Sequence, residues 1–383
     1  MKKIYWCLQQ LKNIGGTEMV TLQIISLLKD YYEIHLISFA PINKEEINYK
    51  IPEGVIIEDI NFPPEISQFD INFNKKIKEK HFLKAFKLLF KTLNYYVFKR
   101  NKYRKIISKM MNKDDILVMA SADIMVFAPK DRYLVQHFHF NSMLYYSLIQ
   151  KVFRLLSRKP DFYIFLTEAT RDNINKNHNF RNEVIYNPCR FSKKENFEYN
   201  NNTLISVCRF EDQKDPMMLL KIAKELSDRN FSYTFNIFGS GSMKDKMLKY
   251  KEKYHLNNVN IISGVTDLVP YYSKSDLYII TSKFEGYPLT VIESTTLSIP
   301  VIWMEMSDPT STIMINNENG FIIPKRDPKL FADKIIETLS NKEELQKLKE
   351  RTIKTSDRFN IDLIKAKWIS TFDNLFKEIE DKK

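Results

Sequence analysis

The run from Asp276 to Ile302 leaves a folding chain few options. Residues 276–280 (Asp-Leu-Tyr-Ile-Ile) read as a short buried strand. Gly286 then supplies a tight turn, and Pro288 suits the first position of a helix, where its missing N–H is no loss. Ser298-Ile299-Pro300-Val301-Ile302 closes that helix and enters the next strand. Strand, helix and strand within this length form a βαβ half-unit, whose strands pair in parallel.

The same alternation fills both halves. The first opens with a strand at 3–9, a loop through Asn13-Ile14-Gly15-Gly16, a helix at 17–29 and a strand at 33–39. Further strands are expected at 116–120, 133–136, 162–167 and 183–186, and the polar stretch 192–202 reads as a linker. The second half has strands at 204–207, 233–238, 259–262, 277–281, 301–303 and 320–323, with helices such as 216–228 and 244–254 between them. Helices at 328–340 and 342–355 precede a last amphipathic segment, 361–379. At 383 residues the chain has room for two α/β domains, each with its own core. Two such sheets facing each other leave a cleft at the carboxyl ends of their strands, where such folds bind ligands.

Composition excludes several classes. No apolar run approaches the roughly 18 residues that cross a bilayer. Lys2 and Lys3 open the chain, but it turns polar too early for a signal peptide. Cys7, Cys189 and Cys208 match no zinc spacing, and any disulfide leaves one over, so a reducing cytoplasm is expected. Glycine numbers eight, where average usage gives roughly 27. Seven of the eight fall in loops after expected strands or at turns, and Gly54 alone does not.

The loop from Thr281 to Glu293 carries candidate chemistry. Its helix start leaves backbone N–H groups such as those of Leu289 and Thr290 without intrahelical partners, a natural cradle for phosphate. Glu285 in the loop and Glu293 in the helix flank that cradle, which also includes Gly286 and Tyr287. Amides for phosphate and acids for hydroxyls suit a nucleotide sugar, although two glutamates at this spacing are ordinarily just solvated. Arg209 and Lys214 follow the 204–207 strand and could reach one diphosphate together, Arg by its planar fork and Lys as a point charge. Exposed cations in a basic protein are the plainer reading. At the end of the 133–136 strand, His137 could hydrogen-bond a sugar hydroxyl or assist proton movement. His139 competes with it, since alternation puts both on one face, and a packed histidine is the ordinary alternative.

The segment Thr281–Glu293, with the Ser298–Ile302 continuation, closely resembles the donor-site signature of retaining glycosyltransferases of family 4. Arg209–Lys214 resembles that family's diphosphate clamp. The resemblance spans nearly the whole chain and is strongest over 204–324. It implies a GT-B fold: an acceptor domain over residues 1–195, a donor domain over 196–360, and a last helix, 361–383, packing back on the first domain. It also covers Gly239 in Ile237–Gly241, a tight loop lining the donor cleft, and Val265, in the loop facing the nucleotide base. Gly15-Gly16-Thr17-Glu18 resembles the glycine loop that approaches the donor phosphates, although Glu18 equally suits the first turn of its own helix. In such enzymes a histidine matching His137 contacts the transferred sugar, Glu285 holds the sugar ring hydroxyls and Glu293 the ribose hydroxyls. Two departures stand out: Ser298 where the family usually has glycine, and Asp308–Thr312 in place of a glycine-rich stretch.

The expected activity is retaining transfer from a nucleotide sugar, UDP-linked by this reading. The acceptor would be a lipid-linked or polymer glycan in capsule, lipopolysaccharide, exopolysaccharide or teichoic acid assembly. No Asp-x-Asp pair follows a strand, so no metal or other cofactor is expected, and Arg209, Lys214 and helix amides would take the divalent ion's place. From Lys75 to Lys109 the chain has 13 Lys or Arg and one acid, Glu79, interleaved with Phe82, Leu83, Phe86, Leu89, Phe90, Leu93, Tyr96 and Val97 as a basic amphipathic helix or helix pair. Such a face can lie on an anionic membrane, which would make the enzyme cytoplasmic and peripheral on the inner face of the cell membrane. A solvated helix packed on the first domain is the alternative. Nucleic acid is not expected, because the aromatics follow helical spacing rather than forming a stacking platform. Rival readings are a nucleotide-sugar epimerase or phosphorylase, and a non-catalytic nucleotide-sugar-binding partner of a synthase.

Overall fold

The computed structural model describes residues 1–11, 16–40, 42, 50–63, 73, 76–77, 79–139, 156–175, 179–195, 199–306 and 313–383. Gly15, Lys75 and the 308–312 stretch lie outside them. The chain divides into two compact units, Met1–Pro188 with Asp362–Lys383, and Cys189–Ile361. The division falls before the expected linker because the segment after Pro188 is bonded into the second unit. Lys193 pairs with Asp357 (2.6 Å), the Lys194 amide donates to the Thr296 carbonyl (3.1 Å), and the Asn200 amide donates to Asp276 (2.9 Å).

The first unit holds a seven-stranded parallel sheet, ordered β3-β2-β1-β4-β5-β6-β7. Its strands are β1 (Lys3–Leu8), β2 (Glu33–Ser38), β3 (Ile56–Asp59), β4 (Ile116–Met119), β5 (Tyr133–Phe138), β6 (Phe162–Phe165) and β7 (Asn182–Val184). The sequence pattern passes over β3. It is an edge strand with none of its four residues buried, so neither alternation nor an apolar run marks it. Alternation sends Tyr5 and Cys7 of β1 into a core with Tyr96, Tyr103 and Phe127. Helices α2 (Phe82–Val97) and α3 (Arg100–Met110), which follow α1 (Gly16–Leu28) in the chain, bury Tyr96 and Tyr103 there. Trp6 points to the opposite face and packs on Trp368 (5.4 Å between rings). Trp368 belongs to the terminal helix, Ile361–Asp381, which also rests Phe372 and Phe376 on Tyr32. Among the described residues no helix is long and apolar enough to cross a membrane.

The second unit is a six-stranded parallel sheet, ordered β10-β9-β8-β11-β12-β13. These are β8 (Thr203–Val207), β9 (Thr234–Phe238), β10 (Val259–Ile262), β11 (Leu277–Ile280), β12 (Val301–Met304) and β13 (Gly320–Ile323). After α4 (Glu168–Asn175) in the first unit, the helices here are α5 (Pro216–Asp228), α6 (Lys244–Lys253), α7 (Val269–Tyr272), α8 (Leu289–Thr296), α9 (Pro328–Ser340) and α10 (Lys342–Thr355); the terminal helix is α11. Leu219, Leu220, Ile222 and Leu226 of α5 and Phe331 and Ile335 of α9 seal one core with β8, β9 and β11. Ser298, one of the two departures from the resembled signature, adopts the left-handed conformation glycine would supply (φ 62°). Its hydroxyl donates to the Lys194 carbonyl (3.0 Å), which helps offset a strain of roughly 1–2 kcal/mol.

An ion pair is buried at the foot of β11. Lys349 of α10 and Asp276 are 1% and 0% exposed, their charged atoms 3.3 Å apart, and Asp276 also accepts from the Asn200 and Thr203 amides. Replacing Lys349 by alanine strands that carboxylate, with an expected loss of about 3–5 kcal/mol. Urea unfolding followed on a second-unit probe checks this. A loss below about 1 kcal/mol would show that the pair does not hold the helix to the sheet.

Candidate functional site

Strands β8 and β11 are neighbours, and from them the chain winds outward in opposite directions, to β9 on one side and β12 on the other. In open parallel sheets the carboxyl ends at such a divergence form the natural ligand crevice. The loops leaving these two ends contain Arg209, Lys214, Glu285 and the approach to Glu293.

Hydrogen bonds to backbone carbonyls join the two loops. The Lys283 amide donates to the Gln213 carbonyl (2.8 Å), the Gln213 side-chain amide donates to the Phe284 carbonyl (3.1 Å), and Thr281 Oγ1 donates to the carbonyls of Lys214 and Asp215. Arg326, in the loop after β13, gives its guanidinium to the carbonyls of Thr281 and Ser282 and to the Asp215 carboxylate. Asp215 precedes α5 in a left-handed conformation (φ 44°). Arg326 therefore fixes both loop ends at once, a role with no local signal in the sequence because its three partners come from distant segments.

Inside this frame Lys214 Nζ sits 2.6 and 2.7 Å from the two oxygens of Glu285, and Ser282 Oγ donates to Oε1 (2.6 Å). Glu285 is buried and Lys214 mostly so. Arg209 is exposed and donates to the neutral Gln213 side chain (3.1 Å). Gly286 and Tyr287 make the bend after Glu285. Pro288 turns out to be the cap residue and Leu289 the first helical one, so α8 begins one position later than expected. The first-turn amides of Leu289 and Thr290 then stand at the helix start without intrahelical acceptors.

Glu293 lies in the middle of α8, 6% exposed. Arg190 Nε approaches Oε1 at 2.7 Å and the Tyr272 hydroxyl donates to Oε2 at 3.3 Å. Burial pushes this carboxyl's pKa up, while the charge and hydrogen bond of Arg190 and the Tyr272 hydrogen bond oppose it. Neither Arg190 nor Tyr272 is marked by any local pattern.

Gly239 and Gly241 sit beside the Arg209 loop for a steric reason. A Cβ on Gly239 would fall 1.9 Å from the Cys208 carbonyl oxygen, and one on Gly241 2.6 Å from that of Phe210. Their glycines admit neighbouring backbone, and the Phe210 amide completes the contact by donating to the Ser240 carbonyl (2.7 Å). Glu211 caps the same turn by accepting from the Ser242 amide and hydroxyl, which holds its carboxyl below the usual range. Val265 is half-buried in the loop after β10, where Ser263 donates to the Gly239 carbonyl. Among the described residues no three of His, Cys, Asp and Glu assemble to hold a metal.

In the first unit, Gly16 is the exposed first residue of α1, with Glu18 in its first turn. β5 runs on to Phe138, so His137 is not at an open strand end. It is 1% exposed, with its ring against Trp368 (5.1 Å), Trp6 (5.9 Å) and His139 (4.0 Å). Neither of its ring nitrogens has a hydrogen-bond partner among the described residues, nor does His139 Nε2. Burial keeps both imidazoles neutral, that of His139 with its pKa pushed down to about 3.

Residues 190–355 match the family described as Glycosyl transferases group 1. The amylovoran biosynthesis glycosyltransferase AmsD of Erwinia amylovora is 23% identical over 378 residues, covering 96% of this chain and 99% of that protein. The poly(ribitol-phosphate) alpha-N-acetylglucosaminyltransferase of Staphylococcus aureus is 27% identical over 228 residues, 57% of this chain but only 45% of that protein. Among solved structures, a Staphylococcus aureus TarM variant in complex with UDP, alpha-GlcNAc-glycerol and fondaparinux aligns with a TM-score of 0.74 at 17% identity, covering 98% of this chain and 100% of that one. The chain has the GT-B fold of glycosyltransferases, and the stretch matching the group 1 family lies within the second unit and includes its site.

Proposed function

We propose that this protein is a retaining glycosyltransferase of family 4 that moves a sugar from a UDP-linked donor to a lipid-linked or polymer acceptor in building a cell-surface polysaccharide. The observation that carries the reading is the junction of β8 and β11, where Lys214 is held on Glu285 beside the start of α8, with Arg209 on the same loop. Arg209, Lys214 and the first amides of α8 would bind the diphosphate and stabilise the charge that develops on it as the glycosidic bond breaks. Glu285 would hold the sugar hydroxyls and Glu293 the ribose hydroxyls. With no enzyme nucleophile, the acceptor attacks from the leaving group's own face and a diphosphate oxygen takes its proton. His137, whose ring nitrogens have no hydrogen-bond partner among the described residues, is the first-unit residue we put forward for a sugar contact. UDP is favoured because the TarM structure contains it, and a surface polymer because of the names of AmsD and of the Staphylococcus aureus transferase. Binding and turnover against UDP-, GDP-, ADP- and dTDP-sugars should favour a UDP-sugar with retained configuration. Glu285→Gln should lower turnover about 100-fold. An inverted product, or Glu285→Ala with full activity, would overturn the reading.

Peripheral membrane association belongs to the same proposal. α2 buries Ala85, Leu88, Thr92 and Tyr96, yet leaves Phe82, Leu83, Phe86 and Phe90 between 62% and 89% exposed, with Lys84, Lys87 and Lys91 on a third face. Arg104 is not part of this surface, because it is buried and donates to the Val126 carbonyl. An exposed apolar stripe bordered by lysines suits an anionic leaflet. Replacing Phe86 and Phe90 by glutamate should weaken co-sedimentation with phosphatidylglycerol–phosphatidylcholine vesicles by about 10-fold or more, and raised salt should weaken wild-type binding. Equal sedimentation with neutral vesicles would contradict an electrostatic contribution.

A further inference from the structure

We infer that Arg190 is a positioning residue of the donor site, holding Glu293 as an aimed carboxylate whose free acceptor positions match the two hydroxyls of a ribose. The inference rests on the reading above that Glu293 faces the donor's nucleoside.

The geometry is specific. An ionised carboxylate has about four acceptor positions. Arg190 Nε occupies one on Oε1 at 2.7 Å and the Tyr272 hydroxyl one on Oε2 at 3.3 Å, which among the described residues leaves one on each oxygen. A ribose presents two adjacent hydroxyls, and a 2′-deoxyribose presents one. Arg190 is itself fixed. Its guanidinium lies over the Phe191 ring (4.7 Å), that ring meets Tyr272 edge-on (5.9 Å), and the segment after it is bonded to α8 through Lys194 and Thr296.

Arg190 matters because Glu293 is buried. Burial raises the pKa of this carboxyl, and Arg190 supplies the largest opposing effect. Among the described residues the other titratable groups near it are Tyr272, Tyr278 and Cys189, and burial raises the pKa of each, so all three stay neutral near pH 7. Without the guanidinium, Glu293 would hold its proton to higher pH. A protonated carboxyl has lost the charge that strengthens its bonds to hydroxyl donors. Binding that needs the ionised form is therefore lost as pH falls through the raised value, and removing Arg190 moves that loss upward in pH.

Calorimetric titration of UDP and 2′-deoxy-UDP from pH 6 to 8.5 tests this in wild type, Arg190→Met, Arg190→Lys and Glu293→Gln. Affinities are taken relative to wild type at each pH, which cancels the titration of the nucleotide. Glu293→Gln should weaken UDP about 10-fold or more at every pH and erase the preference over the deoxy form. Arg190→Met should weaken UDP most at pH 6 and recover toward wild type by pH 8.5, and Arg190→Lys should restore most of the loss. If Arg190→Met tracks wild type while Glu293→Gln weakens binding, the inference fails and the donor reading stands. A pH-independent loss that lysine does not rescue also overturns it. If Glu293→Gln binds UDP as wild type does, the donor reading itself fails.

Discussion

The contact between Lys214 and Glu285 organises the second unit's site. It joins loops from two adjacent parallel strands, it is largely out of water, and Ser282 adds a hydrogen bond to the carboxylate. Breaking such a pair by removing either partner would leave an uncompensated charge. On the donor reading, a diphosphate arriving at the same cation finds it already placed, with the helix start of α8 alongside. The hydrogen bonds of Gln213, Thr281 and Lys283 and the three-way grip of Arg326 hold the loops at the spacing this pair needs.

Much of this was legible in the sequence because the signals are local. Short apolar runs separated by helical periodicity give a parallel α/β fold, and the strand-loop-helix around Gly286 places amides and acids together. The edge strand β3 escaped, because a strand with no fully buried residue has no periodic signature. Pro288 moved by one residue because proline suits both a cap and a first helical position.

What stayed hidden is the set of partners that meet only in three dimensions. Arg190 and Tyr272 converge on Glu293 from segments with no shared pattern, and Arg326 reaches loops far from it in sequence. Gly239 and Gly241 were visible as a tight loop, but the cause is the Cys208 and Phe210 backbone, which presses where their side chains would be. Ser298 shows that a departure from a motif need not change the backbone, since serine here takes the conformation expected of glycine. His137 was visible as a strand histidine, but its burial against Trp6 and Trp368 depends on the terminal helix returning to the first sheet.

Hydrogen exchange with and without saturating UDP tests most directly whether the β8–β11 junction is where the nucleotide binds. Slowed exchange is expected at the amides of the Arg209–Asp215 loop and at Leu289 and Thr290, with the outer strand β13 unchanged. Slowing confined to other segments, with those amides exchanging as in the free protein, would contradict it.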